Sequence, residues 1–456
     1  GLRAGFSFRP RQMICMTASR DTIFALASGG LPAGVAVVRL SGPLACPVAA
    51  SMVGALPVPR TAALRTIRDT DGSMLDQGLV IVFPGPNSFT GEDCVELHLH
   101  GGPALVAATL KSLAGFSGCR LAEAGEFSRR AFENGKMDLV EIEGLADLLA
   151  AETEMQRRLA TEQSNGHLSS IYEGWRERLV FCRAMIEAEL DFSDEGDIPG
   201  AVSDQVWSEI ETLIRELDQV LGQLKSGEII RDGFKVVIAG RPNSGKSSLL
   251  NALVSRDVAI VTHFAGTTRD ILHCELDLSG YKVHLYDTAG LRETDEPVER
   301  EGIRRALLSI DDADLVLHLV DLSANEAIVE ISNPHVLKIG TKNDLLQIDS
   351  GTIRSVDLVL STETGSGLVE LRSRLLTELQ DRVQVNSLAI PSRLRHAQLL
   401  SSAKLHLMDA LNLTAHPLEI RAESLRLGSD DLARVTGRID TETLLGKIFS
   451  EFCVGK

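Results

Sequence analysis

The stretch "GRPNSGKS" at 240–247 constrains this chain more than any other eight residues in it. It fits the G-x-x-x-x-G-K-[ST] pattern, in which a glycine-rich turn wraps backbone N–H groups around a phosphate. The pattern works only between a strand and a helix, because the helix N-terminus faces the anion. Here "FKVVIA" precedes it as a β-branched apolar run and "SSLLNALV" follows it with helical spacing. The segment therefore predicts strand, phosphate loop and helix at the head of an α/β domain. Asn243, Ser244, Gly245, Lys246, Ser247 and Ser248 are the expected phosphate contacts, with Lys246 on the β- and γ-phosphates and Ser247 on Mg²⁺.

Three later strand ends carry matching signals. "KVHLYDTAG" puts Asp287 at the end of a strand, followed by Thr288, Ala289 and Gly290. The carboxylate suits the outer shell of a metal ion, and the glycine amide suits a γ-phosphate. "VLKIGTKNDL" ends with Thr341, Lys342, Asn343 and Asp344, whose carboxylate can accept two N–H groups of a guanine edge while the Lys342 stem packs over the ring. "LVLSTETG" offers Ser361, Thr362 and Glu363 near the base. Four such signals in this order predict a GTPase. The usual Asn-Lys-x-Asp has Thr341 in first place here. One hydroxyl can still make one hydrogen bond, so guanine selectivity is expected to rest on Asp344.

The rest of the chain frames this domain. A length of 456 residues suggests about three domains. Residues 21–136 alternate valine-rich strands ("GVAVVRLSG", "GLVIVFPGPNSFTGED", "CVELHLHGG") with a helix, "ALVAATLKSL". From 137 the apolar period lengthens to three or four, through Trp175, Leu179, Cys182, Ile186 and Leu190, then Trp207, Ile210, Ile214, Leu217 and Leu221. Strand–loop–helix units occupy 231–379, and helical periodicity returns over 380–456. The expected division is thus an extension (1–20), an α/β domain (21–136), a discontinuous helical domain (137–230 with 380–456), and an inserted Ras-like P-loop domain (231–379). An inserted domain is expected to turn as a unit.

With 46 basic against 63 acidic residues, the net charge is −17, which excludes non-specific coating of nucleic acid or anionic membrane. A local basic groove for a structured RNA stays open. No apolar run is long enough to cross a bilayer, so a soluble protein is expected; the expected location is cytoplasmic, or mitochondrial if residues 1–20 are a targeting segment. The seven cysteines are dispersed, without C-x-x-C pairs, and fit a reducing compartment. Residues 1–20 carry four arginines and no acid before Asp21. That composition matches a mitochondrial targeting segment; an untidy terminus, with Met13 or Met16 following, is the favoured reading. His98 and His100 share a strand face, but two histidines without a third ligand read as structural.

Hydrolysis poses a problem. Leu291 stands where Ras-type enzymes place a water-orienting glutamine, and no arginine finger, worth about 10³–10⁵ in rate, is evident. "GRPNSGKSSLLNAL", "VTHFAGTTRD", "DTAGLRETDEPVEREGI", "PNSFTGEDCVELHLHGG", "GEFSRRAFENGKMDL" and the terminal "FCVGK" together resemble the MnmE (TrmE) family of tRNA modification GTPases, from about residue 21 to 456. The resemblance implies G domains that pair face to face around K⁺, held by Asn243, Thr262, Phe264 and Thr267. His263, Ala265 and Gly266 would complete the nucleotide-contacting loop, Thr268 would join Ser247 on Mg²⁺, and Glu299 would orient the attacking water. It further implies that residues 21–136 form a dimerising, folate-binding-like domain. A 5-formyl or methylene tetrahydrofolate would lie against Arg39, Glu96, Lys136 and the terminal Lys456. Cys453, either a reactive or an ordinary buried thiol, lies beside it in sequence. An FAD-dependent partner, MnmG, and tRNA complete the implied system, which modifies C5 of the wobble uridine by aminomethyl or carboxymethylaminomethyl addition. Two alternatives stand beside it: a ribosome-assembly or RNA-chaperone GTPase, and a folate-dependent methyltransferase with an appended GTPase.

Overall fold

The structure, a computed structural model, describes residues 21–191, 201–254, 273–287, 312–324, 331, 333–345, 355–413, 417–439, 448 and 455. The chain divides into two compact units, Gly1–Asp138 with Thr441–Lys456, and Leu139–Asp440.

The first unit is built on a six-stranded sheet. Its elements run β1 (Thr22–Leu26), β2 (Ala33–Ser41), α1 (Ala45–Val53), β3 (Ala63–Arg68), β4 (Met74–Phe83), β5 (Cys94–Gly101), α2 (Pro103–Ala114), β6 (Cys119–Leu121) and α3 (Glu126–Glu133). The strand order is β3-β4-β5-β2-β1-β6, antiparallel except for the β1–β6 pair. Alternation does the local work. Val38 and Leu40 of β2, Val80 and Val82 of β4, and Val95, Leu97 and Leu99 of β5 are buried with α1. The intervening residues Arg39, Glu96 and His98 are only partly covered.

The second unit contains two cores. Helices α4 (Leu139–Ala150), α5 (Glu154–Ser164), α6 (His167–Asp191), α7 (Ala201–Leu221) and α8 (Leu224–Asp232) lead into β7 (Phe234–Gly240) and α9 (Lys246–Val254). After these come β8 (His273–Leu278), β9 (Tyr281–Asp287), β10 (Leu315–Asp321), β11 (Val336–Thr341), β12 (Leu358–Val359), α10 (Leu368–Arg382), α11 (Leu394–Asn412) and α12 (Leu418–Val435). One core is helical: Trp175, Leu179, Cys182 and Ile186 of α6 and Ile210, Leu213 and Leu217 of α7 pack with Leu400, Ala403 and Leu407 of α11 and Leu425 of α12. Segments either side of the sheet domain thus close one bundle. The helical domain is discontinuous, with the α/β domain inserted into it.

The other core lies against the second sheet, in the order β12-β11-β10-β7-β9-β8, parallel but for β8. Its near-continuous apolar strands ("VLHLV" in β10) reflect burial on both faces. Leu159 of α5, Ile229 and Ile230 of α8, and Ile390 belong to this same core. The α/β insert therefore does not end its packing at its own chain boundaries. A body that turned with the sheet would carry α5 and α8 with it. Among the described residues, no helix is long and apolar enough to cross a membrane.

Candidate functional site

In the parallel sheet, every chemical signal falls at a strand's C-terminal end. β7 runs into the loop through Gly240 (φ +150°), Asn243 (φ +63°) and Gly245 (φ +93°). The two glycines take positive φ at no steric cost. At Gly240 a Cβ would also lie 2.7 Å from the Leu319 carbonyl, so the loop is packed directly on β10. Asn243 adopts the left-handed region that asparagine tolerates better than most residues.

Lys246 is 7% exposed and donates to the carbonyls of Gly240 (2.9 Å) and Arg241 (2.8 Å). Burial pushes its ammonium below the ordinary range, while the Asp287 carboxylate pulls it back up. Ser247 Oγ, in the first turn of α9, donates to Asp287 Oδ2 at the end of β9 at 2.9 Å. That hydroxyl and carboxylate are the hard oxygen set a magnesium ion accepts, directly and through water.

The base side assembles from β11 and the segment after β12. Lys342 (φ +58°) directs Nζ onto Asp321 Oδ2 at 2.6 Å, at the end of β10. Asp344 follows in a short 3₁₀ turn and is exposed. Ser361 is buried, and its hydroxyl accepts from the Thr364 amide. Ser248, Asn251 and Ala252 of α9 face Thr362, Glu363, Thr364 and Gly365 across an open cleft of about 480 Å³.

Thr341 differs from expectation. Its hydroxyl is not turned to the base side. It is 3% exposed and donates to the Ser244 carbonyl at 2.8 Å, with the Val320 carbonyl at 3.3 Å. Asp321 and Asn251 were absent from the sequence reading. The "VD" ending of β10 was a visible signal for the first; nothing local marked the second.

The first unit places Arg39 and Glu96 directly opposite each other on β2 and β5. The Arg39 guanidinium donates to Glu96 Oε1 from Nε (3.0 Å) and Nη2 (2.9 Å), and lies 5.2 Å from the Phe89 ring centre and 5.8 Å from that of Phe127. The guanidinium is thus held by one carboxylate and two aromatic rings. Lys136 is exposed, its stem running beside Gly91, where an added Cβ would lie 3.2 Å from Lys136 Cγ. The loop that carries Phe89 to Arg39 thus also reaches Lys136. His98 Nε2 pairs with Glu96 at 3.2 Å and His100 Nδ1 with Asp76 at 2.8 Å. Among the described residues, no group of three metal-type side chains occurs.

Near the other end of the chain, Gly455 (φ +103°) is buried against β1, where a Cβ would lie 2.0 Å from the Leu26 carbonyl. Leu26 pairs with Val38, the neighbour of Arg39. In the same unit, Arg120 and Arg130 clamp Glu126 (2.6 and 3.1 Å). Burial alone would raise its carboxyl; the two guanidiniums and the Glu123 amide instead hold it at about 2.

Thr262, His263, Phe264, Ala265, Gly266, Thr267, Thr268, Thr288, Ala289, Gly290, Glu299, Cys453 and Lys456 lie outside the described residues.

A phosphate loop between the central strand and its helix, with base-side turns after the next strands, defines a P-loop G domain, here set in a helical carrier. Residues 139–453 match the MnmE helical domain and residues 22–136 the GTP-binding protein TrmE N-terminus. The tRNA modification GTPase MnmE of Rhizobium etli is 55% identical over 443 residues, covering 97% of this chain and all of that one. Its counterpart in Rhizobium meliloti is 56% identical over 440 residues, covering 96% and 100%. The G domain of the T. maritima FeoB iron transporter is 28% identical, covering 33% of this chain and 99% of that one, with a TM-score of 0.26. The chain belongs to the MnmE family of tRNA modification GTPases, enzymes of the GTP-hydrolase class.

Proposed function

We propose that this protein is a K⁺-stimulated GTPase that works with an FAD-dependent partner, MnmG, on tRNA. The pair would add an aminomethyl or carboxymethylaminomethyl group at C5 of the wobble uridine, with a tetrahydrofolate derivative supplying the carbon. The observation that carries the GTPase part is the convergence of four separate chain segments on one sheet edge. Lys246, the Ser247–Asp287 pair, Lys342 with Asp344, and the Thr362–Gly365 turn all meet there.

In this reading Lys246 moves from the loop carbonyls to the β- and γ-phosphates. Ser247 and Thr268 would hold Mg²⁺, which would neutralise phosphate charge when bound. Asp344 accepts the guanine N–H groups. Asn243, Thr262, Phe264 and Thr267 hold K⁺ in place of an arginine finger, and Glu299 orients water. The folate, when bound, supplies a one-carbon unit. Arg39 and Glu96 would hold its ring over Phe89 and Phe127, while Lys136 and Lys456 meet its carboxylates. The docking of Gly455 beside the Arg39 strand supports a place for the tail, and so for Cys453, at that site.

Residues 21–136 would form a constitutive homodimer in the cytoplasm, and domains 137–230 with 380–456 and 231–379 the moving parts. Neither alternative, an RNA-chaperone GTPase or a lone methyltransferase, accounts for the match of 22–136 and 139–453 to the same family. The test is reconstitution with a flavoprotein partner, a reduced folate, GTP and undermodified tRNA, read by mass spectrometry of the tRNA nucleosides. The expected product is a 5-substituted uridine that requires all components. A product formed without GTP or without the flavoprotein counts against the proposal.

A further inference from the structure

We infer that Thr341 is a positioning residue for the phosphate cradle and contributes nothing to base recognition; the inference rests on the GTPase reading above. A threonine hydroxyl has a single proton. Both groups within reach of Thr341 Oγ1, the carbonyls of Ser244 (2.8 Å) and Val320 (3.3 Å), are acceptors only. The proton is spent between them, in a setting where the residue is 3% exposed. A purine nitrogen acceptor could receive no hydrogen bond from it.

What the bond does instead follows from the planarity of the peptide. In a trans peptide the carbonyl and the following N–H point in opposite directions. Holding the Ser244 carbonyl toward β11 therefore turns the Gly245 N–H away from β11. Gly245 (φ +93°) precedes Lys246, and its amide is one of the donors a phosphate loop offers to its anion. The contact is close: a Cβ built on Gly245 would lie 3.9 Å from Thr341 Cβ. The residue that opens the base-reading segment "TKND" is thereby a strut under the loop that holds the β-phosphate.

The experiment measures dissociation constants of GMP, GDP and a GDP analogue with carbon in place of purine N7, by competition with a fluorescent GDP on the full chain. It compares wild type with Thr341→Val, Thr341→Ala and Thr341→Ser. Removing the hydroxyl leaves a buried carbonyl without its donor, and the expected loss for GDP is about tenfold. GMP, which has no β-phosphate, should change less than about twofold. The GDP penalty should persist unchanged with the N7-substituted analogue, and Thr341→Ser should recover GDP binding. Valine keeps the shape, and alanine provides a second hydroxyl-free variant if valine does not fold. A penalty as large for GMP as for GDP, or one that vanishes with the N7-substituted analogue, overturns the inference. Failure of the wild type to bind GDP at all would instead remove the GTPase reading on which it rests.

Discussion

The two sheets hold their candidate sites in opposite ways. In the parallel sheet, Lys246, Asp287, Lys342 and Ser361 all sit at or just beyond strand C-termini, each within a few residues of a turn. In the antiparallel sheet, Arg39 and Glu96 stand in mid-strand and meet only because β2 and β5 pair in one register. A site on strand ends is assembled from local motifs, whereas one on a strand face is assembled by pairing. A one-residue slip of β2 against β5 would turn the second inside out. The two should therefore respond independently to substitution.

The largest expected separation comes from Lys246→Ala. It removes the loop's buried cation and should weaken GDP and GTP by about a hundredfold or more, the scale of losing two charge-assisted bonds. Under the proposed function, binding of a reduced folate, measured by calorimetry, should be unchanged. Loss of both would mean that the two sites are one energetic unit.

Gly455→Ala sharpens the opposite side. A Cβ would lie 2.0 Å from the Leu26 carbonyl at φ +103°, so the tail should leave β1. Under the proposed function, tRNA product should fall about tenfold or more, with GTP turnover per molecule within twofold of wild type. A tail that tolerates alanine without loss of product would separate Gly455 from the proposed folate site.

The smallest effect is electrostatic. Glu126, held at about 2 beside Arg120 and Arg130, has a folded value below its ordinary 4.5. Its contribution to stability is therefore complete above about pH 5 and declines as pH falls toward 2. The urea midpoint of Glu126→Gln should lie below wild type at pH 7, and the gap should close on acidification.

The same contrast governs how much was legible in the sequence. The phosphate loop, Asp287, Asp344 and the Ser361 turn could be read because strand–turn–helix grammar is local. The bundle stripe through Trp175, Leu179 and Cys182 could be read because its period belongs to one helix. The Arg39–Glu96 pair was out of reach of residue-level reading, since nothing in either strand announces its register; only the family resemblance singled those residues out. Thr341 was placed at the base because its position in the motif suggested it. The acceptor it found, the Ser244 carbonyl, lies nearly a hundred residues away. The packing of α5 and α8 into the sheet core was hidden for a related reason: periodicity marks a buried face but not the partner that buries it.

The most direct test compares GTP turnover by the full chain in K⁺ and in Na⁺ at equal ionic strength, with Mg²⁺ present throughout. Under the proposed function turnover should be at least about tenfold faster in K⁺, because the monovalent cation would supply the charge that an arginine finger supplies elsewhere. Equal rates in the two salts would contradict it.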